Sequence, residues 1–296
     1  MTGWRPYSEV HGSDGTVSGR VVVWPYLAGN SSIPGREIVA YLPPALADGD
    51  GGQGDGRRFP VLYFHDGQNV FDERTSFVGE WHVDETLEQL AGEGFEAIAV
   101  AVPNDGDARM DEYNPWRERN PWNPARGEMG GKGDAYLEWL VGTVKPLIDR
   151  SFPTRSEREA TGVVGSSMGG LISLYALVAY PAVFGLAGVM SPSLRWNDYG
   201  MIRLVEEAPL PPSRIHLDMG GREWRGMLRD ARLLREALVM RGWREGHDLH
   251  YIEERHAAHR ESAWARRLPD ALRFLLGPLH DLPAAATAGD LLKDGP

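Results

Sequence analysis

The chain contains no cysteine. Disulfides, thiolate chemistry and cysteine-based metal sites are therefore excluded. It also lacks any excess of positive charge: 31 Lys and Arg face 42 Asp and Glu, for a formal net charge of −11 at pH 7. So acidic a chain has no electrostatic footprint for nucleic acid, and it is poorly matched to an anionic lipid surface. No uninterrupted apolar run reaches the ~18 residues of a membrane-crossing helix. The opening MTGWRPYSEVHGSDG has no apolar core of a secretory signal. The expected location is cytoplasmic, with neither membrane nor nucleic acid as partner.

What is present is the composition of a soluble globular protein, 42% hydrophobic and 25% charged. Apolar runs rich in Val, Ile and Leu alternate with helical patterns. GRVVVWPYL and REIVAYLPP read as an opening antiparallel pair of strands. FPVLYFHDG, FEAIAVAVPN, EATGVVG, GLAGVMSPS, SRIHLDMGG and HDLHYIEE read as six more. Between them lie helical segments such as WHVDETLEQLAGEG and DAYLEWLVGTVKPLIDRSF. This alternation predicts an α/β fold: about eight strands in a mostly parallel sheet, with helices on both faces. No repeat and no dividing linker interrupts it. One domain over residues 1–279 is expected, with a flexible tail over 280–296. Residues 103–133 form a long Gly- and Pro-rich stretch with Tyr113, Trp116 and Trp122 embedded in it. A structureless loop of that length is uncommon unless functional, so it is read as a lid or pocket wall.

In such sheets catalytic groups fall just beyond the carboxyl ends of the strands. There, GSSMG at 165–169 matches the Gly-x-Ser-x-Gly nucleophile elbow. The strand TGVV enters it and the helix LISLYALVAY leaves it. Small neighbours let strand and helix approach, and the middle residue is Ser167. Ser166 is excluded, because its own flanks are Val164 and Met168. A serine hydroxyl needs a base, and the base needs an orienting acid. In chain order these follow the serine, acid before histidine. His256 and His259 lie between the last strand and the last helix, where the base belongs. His259 is favoured, being farther out on the loop with Trp264 following to pack it. For the acid, Glu223 lies beyond two glycines and can turn toward a histidine, whereas Asp218 lies within a strand and stands as the alternative. The oxyanion donors expected are the N–H groups of Gln68, in HDGQN, and Met168. Candidate substrate-contacting residues are Asp66, Trp81, Arg109, Tyr113, Trp116, Ser193 and Trp196.

The segments VLYFHDGQNVFD, GSSMGGLISLYAL, FGLAGVMSPSLRW, LDMGGRE and HRESAW together resemble the putative-esterase family of α/β-hydrolases. That family includes enterochelin esterases, feruloyl esterases, S-formylglutathione hydrolase and the mycolyltransferases. The similarity runs from about Arg36 to Leu276. It implies an α/β-hydrolase fold and a carboxylic-ester hydrolase working through an acyl-enzyme. Ser167 is then nucleophile, His259 base and Glu223 acid, with Gln68 and Met168 at the oxyanion hole. The chain departs from the family pattern at Arg260, within HRESAW, and at Gly221, where the acid motif usually carries Thr. The chemistry requires no metal or organic cofactor. A small-molecule ester is the expected partner, and a homodimer is left open. An acyltransferase or thioesterase would use the same site, and a non-catalytic binding protein on this scaffold is the third reading.

Overall fold

The computed structural model describes residues 3–47, 56–120, 123–209 and 211–280. Trp122 and residues 281–296 of the tail expected at 280–296 lie outside the described residues, and His280 ends a helix instead. Among the described residues, nine strands join in one sheet: β1 (Arg5–Pro6), β2 (Arg20–Leu27), β3 (Arg36–Leu42), β4 (Val61–His65), β5 (Ile98–Val102), then, after two short strands outside the sheet, β8 (Thr161–Ser166), β9 (Leu186–Met190), β10 (Arg214–Gly220) and β11 (Leu249–Glu254). Their order is β1-β2-β3-β5-β4-β8-β9-β10-β11. The first three strands and the β3–β5 pair are antiparallel. From β5 to β11 every pair is parallel. The eight strands expected from the apolar runs are all present, and the α/β-hydrolase architecture follows. The ninth, β1, has only two residues and no apolar run to announce it.

The central strands are buried from end to end, as in VLYFH and IAVAV. Continuous apolar runs of this kind suit a sheet covered on both faces. One face packs around Tyr63, Tyr136, Trp139 and Phe184, the other around Phe64, Leu87, Trp264 and Leu272. The helix Met168–Ala179 is apolar on nearly all sides, and nine of its residues are buried. A helix with no polar stripe has to lie inside the molecule. Residues 133–151 form a helix with one π turn, Leu140–Val144, in its middle. Pro146 accounts for it. Its ring would clash with the carbonyl of Gly142 in a regular helix, and a wider turn relieves the contact.

The stretch 103–133 is not structureless. It holds the helical turns Gly106–Ala108 and Arg109–Glu112 and a hairpin of β6 (Arg117–Arg119) and β7 (Glu128–Gly130). Because β4, β8, β9, β10 and β11 run parallel, the loops after them open at one edge. The sheet reverses its order of connection at β4 and β8, which places the crevice there.

Candidate active site

Ser167 follows β8 directly and precedes the helix Met168–Ala179, with φ 58° and ψ −117°. Positive φ in a non-glycine residue is strained, at about 1–3 kcal/mol, and persists only where surroundings enforce it. Here the Ser167 N–H donates to the Met190 carbonyl at 2.9 Å, and the Ser193 N–H donates to the Ser167 carbonyl at 3.0 Å. The glycines act sterically, as the sequence suggests. A Cβ on Gly165 would stand 2.6–2.9 Å from the backbone of Gly169. The turn presents Ser167 partly exposed while Ser166 is buried. Ser167 Oγ lies 3.2 Å from Ser193 Oγ.

Glu223 and His259 leave different strands and meet. The Glu223 Oε2 to His259 Nδ1 distance is 2.8 Å, and their side chains are only 1% and 9% exposed. The other carboxylate oxygen, Oε1, accepts from Ser191 Oγ at 2.6 Å and from the Gly220 N–H at 2.8 Å. The imidazole is held on two sides. Trp224 stacks on it at 4.5 Å between ring centroids, and Trp264 meets it edge-on at 5.0 Å.

The two alternatives weighed from sequence lie elsewhere. His256 is exposed. Asp218 is fully buried, ion-paired with Arg267 at 2.9 Å and 3.1 Å from His216 Nε2. Its carboxyl is held below the usual range: burial pushes it up, but His216 and Arg267 outweigh that. Asp218 is thus committed to a buried network on the far side of Ser191.

Gln68 sits in a helical turn, Gly67–Asn69, directly after β4. Gly67 allows it to pack close, since a Cβ there would stand 2.6 Å from the backbone of Val102 and Pro103. Met168 is the first residue of its helix, so its N–H has no intrahelical acceptor. Both N–H groups lie shortly beyond the ends of strands β4 and β8, at the edge where Ser167 lies.

The seven pocket candidates separate. Ser193 and Trp196 line a cavity of about 340 Å³, together with Leu194, Met227, Trp224 and Glu118. This cavity adjoins Ser167 through Ser193 and His259 through Trp224. Asp66 and Arg109 pair with each other, Nε to Oδ1 at 2.6 Å and an η nitrogen to Oδ2 at 2.8 Å, which neutralises the Arg109 charge. Trp81 and Tyr113 are both buried. Trp81 is buried in the core against Trp264. Tyr113 is fully buried, and its oxygen accepts from the Asp66 N–H at 2.8 Å. Large aromatic bodies gain more from core burial than from lining a wet pocket. Trp116 is half-buried and packs edge-on to Tyr175. Ser191, Trp224 and Arg267 were missed. Trp224, adjacent to Glu223 in sequence, was the readable one.

Among the described residues no helix is long and apolar enough to cross a membrane. The family described as Putative esterase matches residues 35–275, and the chain belongs to it. YbbA of Bacillus subtilis is 26% identical over 249 residues, covering 82% of this chain and 93% of YbbA. The siderophore triacetylfusarinine C esterase of Aspergillus fumigatus is 30% identical over 142 residues, 47% of this chain and 45% of that protein. The crystal structure of the BES protein from Bacillus cereus matches with a TM-score of 0.66 at 19% identity, over 88% of this chain and 97% of that one. That last likeness shows the fold.

Proposed function

We propose that this member of the esterase family is a serine hydrolase that cleaves carboxylic esters through an acyl-enzyme on Ser167. The observation that carries the reading is the 2.8 Å contact between Glu223 and His259, at the sheet edge where Ser167 stands on its strained turn. Glu223 accepts the Nδ1 proton and leaves Nε2 free to act as base. His259 takes the proton of Ser167 as Oγ attacks the ester carbonyl. The N–H groups of Gln68 and Met168 receive the oxyanion, each such donor contributing about 3 kcal/mol. His259 then protonates the departing alcohol. Water enters, loses its proton to His259 and releases the acid, restoring Ser167.

The cavity lined by Leu194, Trp196, Trp224 and Met227 suits an aryl or acyl group of moderate size. A small ester as substrate also agrees with the Aspergillus fumigatus relative, which is named for a siderophore ester. Because Arg109 is already paired with Asp66, an anionic substrate group is not needed to satisfy it.

The test is a series of p-nitrophenyl esters of increasing acyl length, given to wild type and Ser167→Ala. Wild type turns over a preferred length. The variant loses at least about 10³-fold in kcat, the scale seen when a nucleophile is removed. Equal rates in the two proteins contradict the reading.

A further inference from the structure

A second constellation lies where the chain leaves the Gln68 loop. The ligating atoms of Glu80, His82 and Glu85 fall within 4.8 Å of one another. His82 Nδ1 stands 3.4 Å from Glu80 Oε2 and 3.3 Å from Glu85 Oε1. Two atoms bound tetrahedrally to one ion at about 2.0–2.1 Å stand roughly 3.3–3.4 Å apart. The imidazole nitrogen already has that spacing to each carboxylate oxygen, and the two oxygens lie within 4.8 Å of each other.

Burial supplies an independent sign. The Glu80 side chain is only 1% exposed, and its Oε1 has no hydrogen-bond partner. Next to the group, Asp84 is fully buried, with its carboxyl against that of Glu85. The ligating Glu80 Oε2 also accepts from Thr16 Oγ1 at 2.7 Å, and the Ser18 N–H donates to Asp84 Oδ2 at 2.6 Å. Among the described residues no Lys or Arg pairs with Glu80, Asp84 or Glu85, and the only basic partner of Glu80 and Glu85 is His82. Buried carboxylates without a counter-charge are costly. The start of the helix Val83–Ala91 favours these carboxylates through its dipole and works against a cation. The ligands, not the dipole, have to hold the ion.

We propose that Glu80, His82 and Glu85 form a site for a divalent transition-metal ion, Zn²⁺ by preference, with a fourth position open to water. Imidazole with carboxylates suits Zn²⁺ better than the hard cations Ca²⁺ and Mg²⁺. The role is structural. Trp81 lies between two of the ligands, donates its N–H to the Asn69 carbonyl at 2.8 Å, and packs on Trp264 at 5.8 Å. Trp264 in turn packs on His259. An ion here fixes the exit of the Gln68 loop and the wall behind His259.

The proposal is independent of the esterase reading, and so is its test. The full chain is stripped with chelator, freed of it and titrated with Zn²⁺ by calorimetry, alongside His82→Asn and Glu85→Gln. Asn is chosen because His82 has φ 54°, which Asn tolerates. The expected result is one Zn²⁺ per wild-type chain, at least tenfold weaker binding in each variant, and a rise in Tm with Zn²⁺ in wild type alone. No binding, or binding that both variants retain at wild-type strength, overturns the site.

Discussion

Ser191 Oγ donates a 2.6 Å hydrogen bond to Glu223 Oε1, and it accepts from Trp264 Nε1 at 2.9 Å and from Arg267 at 3.1 Å. A single hydroxyl after β9 thus joins the acid to the packing around His259 and to the buried Arg267–Asp218 pair. Ser191→Ala removes one of the two donors that hold Glu223 Oε1, strands the Trp264 indole N–H and takes one acceptor from Arg267. The expected outcome is a fall in kcat of about tenfold with KM little changed, because Ser191 is a positioning residue away from substrate. Melting curves will show a loss of about 1–3 kcal/mol, the cost of stranding a buried donor. Steady-state kinetics and thermal denaturation check both.

The two acids after and within β10 have separable roles. Glu223→Gln keeps the shape but removes the acceptor that fixes the His259 tautomer, and kcat is expected to fall on the order of 10³–10⁴-fold. Asp218→Asn breaks a buried pair with Arg267 and is expected to cost about 3–5 kcal/mol of stability. Kinetics and melting of both variants decide. A folded Glu223→Gln protein with wild-type kcat contradicts the assignment.

Trp224 is 66% exposed yet stacks face-on with His259. Truncation to Ala removes one wall of the imidazole and of the cavity and little of the core. The expected loss is about tenfold in kcat/KM with Tm nearly unchanged, measured on the preferred ester.

His65 gives a sign-defined pH effect. It is buried, hydrogen-bonded to the Tyr136 oxygen at 2.8 Å, and burial lowers its pKa to about 4. An unfolded chain binds this proton near 6.5. The contribution of His65 to stability is therefore complete above pH 6.5 and is lost as pH falls toward 4, at about 1.4 kcal/mol per unit. Its imidazole resonances should remain those of the neutral ring down to about pH 5 in an NMR titration of the folded protein. A midpoint at pH 6 or above contradicts the burial argument.

The sheet was legible because buried parallel strands write themselves as continuous apolar runs, as VLYFH and IAVAV do. Ser167, Glu223 and His259 could be proposed from sequence because each lies beyond the carboxyl end of a strand, at the edge where the loops converge. The burial of Trp81 and Tyr113 could not be read, since an aromatic in a polar loop carries no sign of which way it turns. Ser191 and Arg267 left no trace as functional residues. Their roles come from the neighbourhood of β9, β10 and the last helix, and contacts between distant segments have no signature in local sequence. The hairpin of β6 and β7 was hidden for another reason: three-residue strands are too short for a period to be read.

The central claim is that Ser167 is a nucleophile activated by His259. It is tested most directly by treating the protein with a fluorophosphonate and locating the adduct by mass spectrometry. The account predicts one adduct per chain, on Ser167, formed much more slowly in His259→Ala and absent from Ser167→Ala. No adduct in the wild type, or an adduct on another serine, would contradict it.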